Sequence, residues 1–242
     1  MDLILVLAAV IPAVFLLVQV YRADRLEKEP FSLLLSLVLC GVISTVLAAL
    51  TEQLGDLLLG FFVVPGTKTY DLLLYFGIVA VSEEGFKYLL LRLRTWRSPH
   101  FDCSFDGLVY AVFLSLGFGL WENVQYVMHL GLGAAIARAV TAVPGHACFG
   151  VFMGTWYGIA KRCELAGQQG RCRFARVLAF LLPTLLHGCY DYIATSQQTG
   201  LSWAFLSFVA VLYAVSIHLV KSLSRNDVYL TRPELFPQED SE

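Results

Sequence analysis

Three ionisable side chains stand close together in one apolar segment, at Glu83, Glu84 and Lys87. The segment extends from about residue 71 to 91, which is long enough for a helix to cross a bilayer. A charged residue at the centre of such a helix costs about 2.5 to 3.5 kcal/mol, so it usually persists only when it is paired or functional. Glu83 and Lys87 have the i, i+4 spacing of an ion pair, and Glu84 reaches Lys87 at i+3. Because a buried carboxylate can also act as a general base, this segment is the first candidate for chemistry.

Three further apolar segments carry polar side chains of the kinds that hydrolytic sites use. They are Glu122 with Asn123, then His146, then His187 with Asp191. A histidine can hold the water that a carboxylate deprotonates, Asp191 can orient His187 from i+4, and Asn123 can donate to an oxyanion. No Ser or Cys stands at short spacing from an obvious base, so we expect water activation rather than a covalent mechanism.

Small residues share helical faces with these polar groups. The two series are Ala142, His146, Gly150, Gly154 and Gly158, and Ala111, Ser115, Gly119 and Asn123. A small residue at every fourth position is typical of closely packed membrane helices. Pro183, His187 and Asp191 also share one face. We therefore expect the polar groups to point together into the interior of a helical bundle.

The composition predicts the elements that position these groups. Of the 242 residues, 57% are hydrophobic and 15% are charged, and the mean hydropathy is +0.68, which is typical of a polytopic membrane protein. At about 20 apolar residues per span, the sequence predicts an all-α bundle of about seven transmembrane helices. We place them near residues 2–20, 31–50, 71–91, 105–128, 135–160, 174–193 and 201–220. Residues 1–225 are expected to form one transmembrane domain, with the polar helices within 71–193, and residues 226–242 an acidic, disordered cytoplasmic tail.

The basic residues predict the orientation of this bundle. Fourteen of the 17 Lys and Arg residues lie in the odd-numbered connections and the tail, two lie in the even-numbered connections, and Lys87 lies within a span. Because basic residues accumulate in cytoplasmic loops, we predict a multi-pass protein of the inner (plasma) membrane with its N-terminus outside and its C-terminus in the cytoplasm. The six cysteines imply no disulfide framework.

Taken together, the polar motifs resemble the PrsW family of intramembrane proteases, which is related to the CAAX-protease and bacteriocin-processing superfamily. The matching motifs, in order over about residues 70 to 195, are Glu83-Glu84-x-x-Lys87, Phe118-x-x-x-Glu122-Asn123, His146-x-x-x-Gly150 and His187-Gly188-x-x-Asp191. The resemblance implies an endopeptidase in the lipid bilayer that acts on membrane-anchored protein substrates, with regulatory site-1 cleavage as one such role. We expect no nucleic-acid partner, and the sequence indicates no oligomeric state.

The resemblance also carries over a set of catalytic residues. They are Glu83, Glu84, Lys87, Glu122, Asn123, His146, His187 and Asp191. Helix geometry pairs Glu83 with Lys87 and frees Glu84, whereas analogy with the wider superfamily favours the first glutamate, so the general base stays open between the two. The family is often called a metalloprotease, and His146, His187 and Glu122 would be an acceptable zinc set. Because no His-Glu-x-x-His motif occurs and the related superfamily resembles metal-free glutamate hydrolases, we favour a mechanism without metal.

Other functions would use the same residue types. A proton- or ion-coupled transporter also needs buried acids and histidines, but it would predict an inverted repeat, whereas these polar residues occupy one contiguous block of helices. A seven-helix sensor with a Schiff base on Lys87 would give no function to His146 and His187. Ion pairing within Glu83–Lys87 and hydrogen bonding within His187–Asp191 could also be structural, and this interpretation stays open for each pair taken alone.

Overall fold

The structure is a computed structural model that describes residues 3–195 and 199–230 of the chain. Nearly all of these residues are helical, and outside the helices one isolated antiparallel bridge joins Cys103 to Tyr229 in the described part. In chain order the elements are α1 (Leu3–Ala23), α2 (Phe31–Gly60), α3 (Lys68–Leu72), a π-helical segment (Leu73–Val79), α4 (Ala80–Thr95), α5 (Asp106–Leu130), α6 (Leu132–Val140), α7 (Ala142–Leu165), α8 (Gln169–Thr195) and α9 (Thr199–Arg225). The all-α prediction is confirmed.

Six helical stretches among the described residues are long and apolar enough to cross a membrane. They are Leu3–Ala23, Phe31–Gly60, Asp106–Leu130, Leu132–Leu165, Gln169–Thr195 and Ser202–Arg225. The remaining predicted span, near 71–91, is a composite rod in which α3, the π-helical segment and α4 follow one another and contact α2 and α8. The protein is therefore a multi-pass membrane protein whose most polar helix lies among its neighbours.

Two predicted helices differ from the structure in ways that affect the site. The predicted span 135–160 is wrong as one continuous helix, because the backbone of Thr141 (φ −122°, ψ −72°) separates α6 from α7. The second helix continues past its predicted end at residue 50 as far as Gly60. The longer second helix brings Glu52, which the predicted boundary left in a loop, into the bundle. Arg138 lies in the short helix α6, before the break.

The centre of the bundle is α5, where every residue from Asp106 to Gly119 is buried. Its closest neighbour is α7, because glycines on the two helices face each other. A Cβ atom built on Gly154 would lie 2.5 Å from the carbonyl oxygen of Gly107, so only glycine permits this approach. The predicted ladder of small residues is confirmed as a close helix contact, and it fixes the face of α7 that carries His146.

The C-terminal part of the described chain returns to the start of α5. The backbone amide of Phe105 donates a hydrogen bond to Asp227 Oδ1 at 2.8 Å, and the amide of Leu230 donates to the carbonyl oxygen of Asp102 at 2.5 Å. Residues 226–230, which belong to the predicted disordered tail, are thus held against the loop before α5. The remainder of that tail, residues 231–242, lies outside the described residues.

Candidate active site

A cavity of about 300 Å³ opens among the helices near the end of the bundle where α8 ends and α7 begins. Its polar wall combines side chains from α2, α4, α5, α6, α7 and α8, namely Glu52, Glu83, Glu122, Arg138, His146, His187 and Asp191. Tyr75, Tyr126, Phe149 and Tyr190 are among its other lining residues. Because the connections rich in Lys and Arg lie at the opposite end of the bundle, the cavity is at the end predicted to be extracytoplasmic.

Lys87 joins the polar groups of α4 to those of α7. Its Nζ donates to Glu84 Oε1 at 2.8 Å and to Glu83 Oε2 at 3.2 Å, and it lies 3.2 Å from His146 Nδ1. The ammonium also lies 3.8 Å from the centre of the Phe118 ring, and the side chain is fully buried. An ammonium has three N–H donors, so these three polar partners use all of them. The predicted pairing of Lys87 with both glutamates is confirmed.

His146 is held from both sides of its ring. Its Nδ1 faces the Lys87 ammonium, which can only donate, so Nδ1 must accept. The proton of the neutral ring then resides on Nε2, which donates to Glu122 Oε2 at 2.7 Å. Both nitrogens of His146 are therefore engaged by protein groups. This arrangement makes His146 a link between Glu122 and Lys87 rather than a free base.

His187 presents one nitrogen to the protein and the other to the cavity. Its Nδ1 donates to Glu84 Oε1 at 2.9 Å, and its ring stacks on Phe149 with centroids 4.7 Å apart. Its Nε2 lies 3.4 Å from Asp191 Oδ2 and 3.8 Å from Glu83 Oε2. Asp191 was predicted to orient this histidine, but the shorter contact comes from Glu84. Asp191 instead lies beside the nitrogen that faces the cavity.

The two glutamates of α4 occupy different positions. Glu83 lines the cavity, whereas Glu84 is fully buried behind it and contacts both Lys87 and His187 through Oε1. Two consecutive helix positions differ by about 100° around the axis, so neighbouring side chains face different surroundings. The sequence left the general base open between Glu83 and Glu84. The geometry favours Glu83, because only Glu83 of the two lines the cavity.

Close backbone approaches place both histidines at this site. A Cβ atom on Gly119 would lie 2.7 Å from the His146 ring, so α5 admits that ring only because residue 119 is glycine. A Cβ atom on Gly188 would lie 2.5 Å from the Phe76 ring, so α8 could not approach the π-helical segment with a larger residue there. Single π-helical turns are frequent at functional sites, and this one lies directly before the helix that carries the glutamate pair.

The candidate metal ligands differ from the predicted set of His146, His187 and Glu122. Among the described residues that line the cavity or lie directly behind its wall, the donor atoms of Glu83, Glu84 and His187 converge within 4.8 Å of one another. The second carboxylate oxygen of Glu84 is buried without a hydrogen-bond partner in the structure, so it is available as a donor. Two carboxylates and one imidazole, with one coordination position left open, fit a divalent cation such as zinc. His146 is less suitable because both of its nitrogens are engaged.

Asn123, like Glu84 and Lys87, is a predicted catalytic residue that does not line the cavity, and unlike those two it makes no contact with Glu83 or His187 in the described structure. Its Nδ2 donates to the carbonyl oxygen of Ala9 in α1 at 2.8 Å, and its Oδ1 accepts from Arg138 Nε at 3.1 Å. The side chain is fully buried. Since its amide is committed to α1, Asn123 joins helices here instead of pointing at a reacting group.

Two charged residues of the cavity were not predicted from the sequence. Arg138 was counted as a loop cation, yet its Nη2 contacts Glu122 Oε2 at 2.7 Å. Glu52 fell beyond the predicted end of its helix, and its Oε1 is buried without a hydrogen-bond partner in the described structure. A longer second helix would have pointed to Glu52, because the apolar run around it continues to residue 60. The sequence around Arg138 carries no comparable signal.

Comparison with known proteins agrees with these motifs. Residues 29–220 match the model of a family described as "PrsW family intramembrane metalloprotease". The chain is 33% identical over 223 residues to "Protease PrsW" of Clostridioides difficile, which covers 90% of each chain. It is also 33% identical over 221 residues to "Protease PrsW" of Shouchella clausii, covering 91% of this chain and 97% of the relative. No solved structure shows significant similarity to the chain.

The chain therefore belongs to the PrsW family of intramembrane proteases. The resemblance drawn from four short motifs is confirmed over most of the chain. The alternative of an ion-coupled transporter receives no support from these relatives. The family description is compatible with a metal, and it does not identify the ion.

Proposed function

We propose that this protein hydrolyses peptide bonds of membrane-anchored proteins with a water molecule held between Glu83 and His187. The observation that carries the proposal is the pair of atoms Glu83 Oε2 and His187 Nε2, which lie 3.8 Å apart where both side chains line the cavity. One water can contact a carboxylate oxygen and an imidazole nitrogen at this separation. Membership of the protease family supplies the reaction class.

Glu83 is the general base of the proposed reaction. It takes a proton from the water while the water oxygen attacks the scissile carbonyl carbon, and the carbonyl electron pair moves to the carbonyl oxygen. When the tetrahedral intermediate collapses, the C–N bond breaks and Glu83 returns the proton to the leaving amine. One water is consumed, and the carboxylate is restored. Glu84 cannot take this part because it lies behind the wall of the cavity.

The groups behind Glu83 keep it and His187 in place. Glu84 accepts the Nδ1 proton of His187, which leaves Nε2 directed to the water. Lys87 compensates the negative charge of both glutamates inside the membrane. A zinc ion held by Glu83, Glu84 and His187 would polarise the carbonyl and lower the pKa of bound water. We favour the route without metal, since the Lys87 ammonium already provides a positive charge at both carboxylates.

The orientation of the cavity suggests the class of substrate. With the basic connections in the cytoplasm, the cavity lies on the extracytoplasmic side of the inner (plasma) membrane. We infer that the substrates are single-span proteins cut close to the outer surface, as in a regulatory site-1 cleavage. Labelling with an impermeant thiol reagent tests this orientation. A cysteine replacing Val64 should react in intact cells, and one replacing His100 should react only after lysis.

Co-expression with tagged substrates tests the hydrolytic site. A panel of single-span proteins with an epitope tag at each end is expressed with the wild type, Glu83→Gln, Glu84→Gln or His187→Ala, and the fragments are followed by immunoblotting. Glu164→Gln is the control, because Glu164 is likewise a carboxylate paired with a cationic side chain, Arg176, but it lies at the opposite end of the bundle and is half-buried. We expect the three site variants to lose cleavage and the control to keep it. Cleavage at the wild-type level in all three site variants would rule out this site.

Metal dependence is tested on the purified protein. Elemental analysis and cleavage before and after chelation distinguish the two routes. Full cleavage by protein that contains no metal would exclude the zinc route. Loss of cleavage on chelation that zinc alone restores would establish it.

A further inference from the structure

Arg138 makes a set of contacts that no part of the proposed mechanism uses. Its Nη2 donates to Glu122 Oε2 at 2.7 Å, its Nε donates to Asn123 Oδ1 at 3.1 Å, and its guanidinium carbon lies 4.0 Å from the centre of the Tyr126 ring. All three partners belong to the last part of α5. The guanidinium thus contacts one side of α5 through two hydrogen bonds and one aromatic ring. The planar, forked guanidinium of arginine can make these contacts together, whereas the ammonium of lysine cannot.

The carboxylate that Arg138 holds also contacts the catalytic core. Glu122 Oε2 accepts from His146 Nε2 at 2.7 Å, and the other nitrogen of that ring lies 3.2 Å from Lys87 Nζ. A continuous chain of contacts therefore runs from Arg138 through Glu122 and His146 to Lys87, and from there to Glu83. Because one oxygen of Glu122 serves two donors, its position determines where the His146 ring can stand.

The backbone explains why Arg138 reaches back over α5. Gly131 has a positive φ of 79°, which ends α5 and lets the chain turn at once into α6. Ala135 is buried in a small cluster with Ala9 and Val127, so this face of the short helix α6 packs on α1 and α5. Arg138 follows Ala135 by three positions and lies on the same face. The short helix is thereby fixed so that its arginine points at Glu122.

We propose that Arg138 is a positioning residue for peptide hydrolysis, acting through Glu122 on His146 and thus on Lys87 and Glu83. The inference rests on the proposed function of the cavity. Without the guanidinium, the Glu122 carboxylate keeps His146 as its one strong partner, and it can rotate. A rotated carboxylate releases His146 Nε2, and the Lys87 ammonium loses the fixed acceptor on its other side. The position of the Glu83 carboxylate, the proposed general base, is then less fixed.

The chain offers a matched control for this arginine. Arg176 pairs with Glu164 at 2.8 Å, and its guanidinium carbon lies 4.3 Å from the centre of the Trp96 ring. Its side chain is 24% exposed, compared with 16% for Arg138. Both arginines thus combine an ion pair with a ring contact at similar burial, but Arg176 is remote from the cavity. A general loss of stability should affect the two sites alike.

The test measures kcat and KM separately for cleavage of the single-span reporter that the wild type cuts in the co-expression assay. We expect Arg138→Met to lower kcat about 10- to 100-fold, as is usual when a group that orients a catalytic side chain is removed, with KM changing less than about threefold. Arg138→Lys should recover only part of the loss, because an ammonium cannot make the fork contact. Arg176→Met should change kcat by no more than about twofold. Thermal unfolding of all variants is recorded in the same detergent.

A double substitution separates positioning from an independent effect. If Arg138 acts through Glu122, the pair Arg138→Met with Glu122→Gln should be no slower than Glu122→Gln alone. The inference would be overturned if the fold-losses in kcat of the two single variants multiplied in the double variant. Equal kcat values for Arg138→Met and Arg176→Met would also overturn it. If Arg138→Met fails to fold, the kcat of Arg138→Lys becomes the test. A wild-type kcat in Arg138→Lys would then overturn the inference. A wild type and an Arg176→Met variant that cleave no reporter would instead contradict the proposed function.

Discussion

Two groups of buried carboxylates lie at opposite ends of this bundle, and the protein compensates them in different ways. At the cavity, Glu83 and Glu84 share the Lys87 ammonium, and Glu122 pairs with Arg138. At the other end, Asp24, Glu29 and Asp106 form what we call the acidic cluster. There, Glu29 accepts from the Tyr110 hydroxyl at 2.7 Å, and Asp106 accepts from the backbone amides of Asp102 and Cys103. Charged partners serve the first group, and mostly neutral donors serve the second.

The acidic cluster is the less compensated of the two. Neither carboxylate oxygen of Asp24 accepts a hydrogen bond of normal geometry in the described structure, although the side chain is almost fully buried. Lys28 donates to the backbone carbonyl oxygens of Tyr21 and Asp24, and its charge offsets only part of the cost of burial. Burial raises the pKa of Asp24 to about 6 and that of Glu29 to about 7. The comparison indicates that the carboxylates at the cavity have cationic partners within contact distance, whereas Asp24 and Glu29 have few charges to offset their burial and retain protons readily.

The largest expected effect is on catalysis at the cavity. Glu83→Gln removes the proposed general base but keeps the shape of the side chain, so we expect kcat to fall by about 10²- to 10⁴-fold. Asp24→Asn, the corresponding change in the acidic cluster, should leave kcat unchanged. Cleavage of the reporter by the purified variants measures both. Equal losses of kcat in Glu83→Gln and Asp24→Asn would contradict the proposed difference between the cavity and the acidic cluster.

A second expected effect concerns folding. Lys87→Met leaves Glu83 and Glu84 buried without their shared cation, and breaking a buried ion pair in this way costs about 3 to 5 kcal/mol. The matched change Lys28→Met removes a lysine whose hydrogen bonds go to backbone carbonyls, so its cost should be much smaller. Denaturant or thermal unfolding in detergent compares them. A smaller loss for Lys87→Met than for Lys28→Met would contradict the comparison.

Stability should depend on pH through the acidic cluster. A carboxyl group whose pKa is higher in the folded protein binds its proton more tightly there, so unfolding becomes easier as the pH rises from about 4 through about 7. Asp24→Asn removes this cost and should raise the free energy of unfolding at pH 8 by about 1 to 3 kcal/mol. At pH 4.5 the gain should be much smaller. Melting temperatures of wild type and variant at the two pH values provide the check, and a gain that does not depend on pH would refute the assignment.

The smallest expected effect belongs to Asn123. Asn123→Ala removes a hydrogen bond to Ala9 in α1 and one from Arg138, at a cost of about 1 to 3 kcal/mol in stability. Because the amide does not line the cavity, we expect kcat to fall no more than about threefold, by way of the lost contact to Arg138. The kinetic assay used for Glu83→Gln measures this. A 100-fold loss of kcat would restore the oxyanion role that the sequence predicted.

Part of the site could be predicted because some of its contacts join residues that are close in sequence. Glu83, Glu84 and Lys87 lie within one turn and a half of helix, and i+3 and i+4 neighbours must meet whatever the tertiary structure is. The small-residue ladder on α7 also predicted correctly that His146 faces another helix. These inferences needed only helical periodicity and the cost of placing charge in lipid.

The partners between helices could not be predicted in the same way. His187 was given Asp191 as its orienting acid because the two are four positions apart, but the Glu84 carboxylate reaches the ring from another helix. Asn123 was grouped with Glu122, yet one position of helix rotates a side chain by about 100°, and this rotation turns it to α1. Neighbouring helices set these contacts through their rotation and their depth.

The sequence by itself determined the class of the protein, its apolar helices, the local ion pair of Lys87 and the family motifs, because composition and helical periodicity do not depend on how helices pack. Only the tertiary structure decided that Glu83 lines the cavity while Glu84 lies behind it, that the convergent donors are Glu83, Glu84 and His187, and that Arg138 belongs to the site. Those outcomes depend on the glycine contacts of α5 and α8, the π-helical segment and the break at Thr141. Each of them rotates or shifts one helix against another, and a shift of one residue changes which side chains meet.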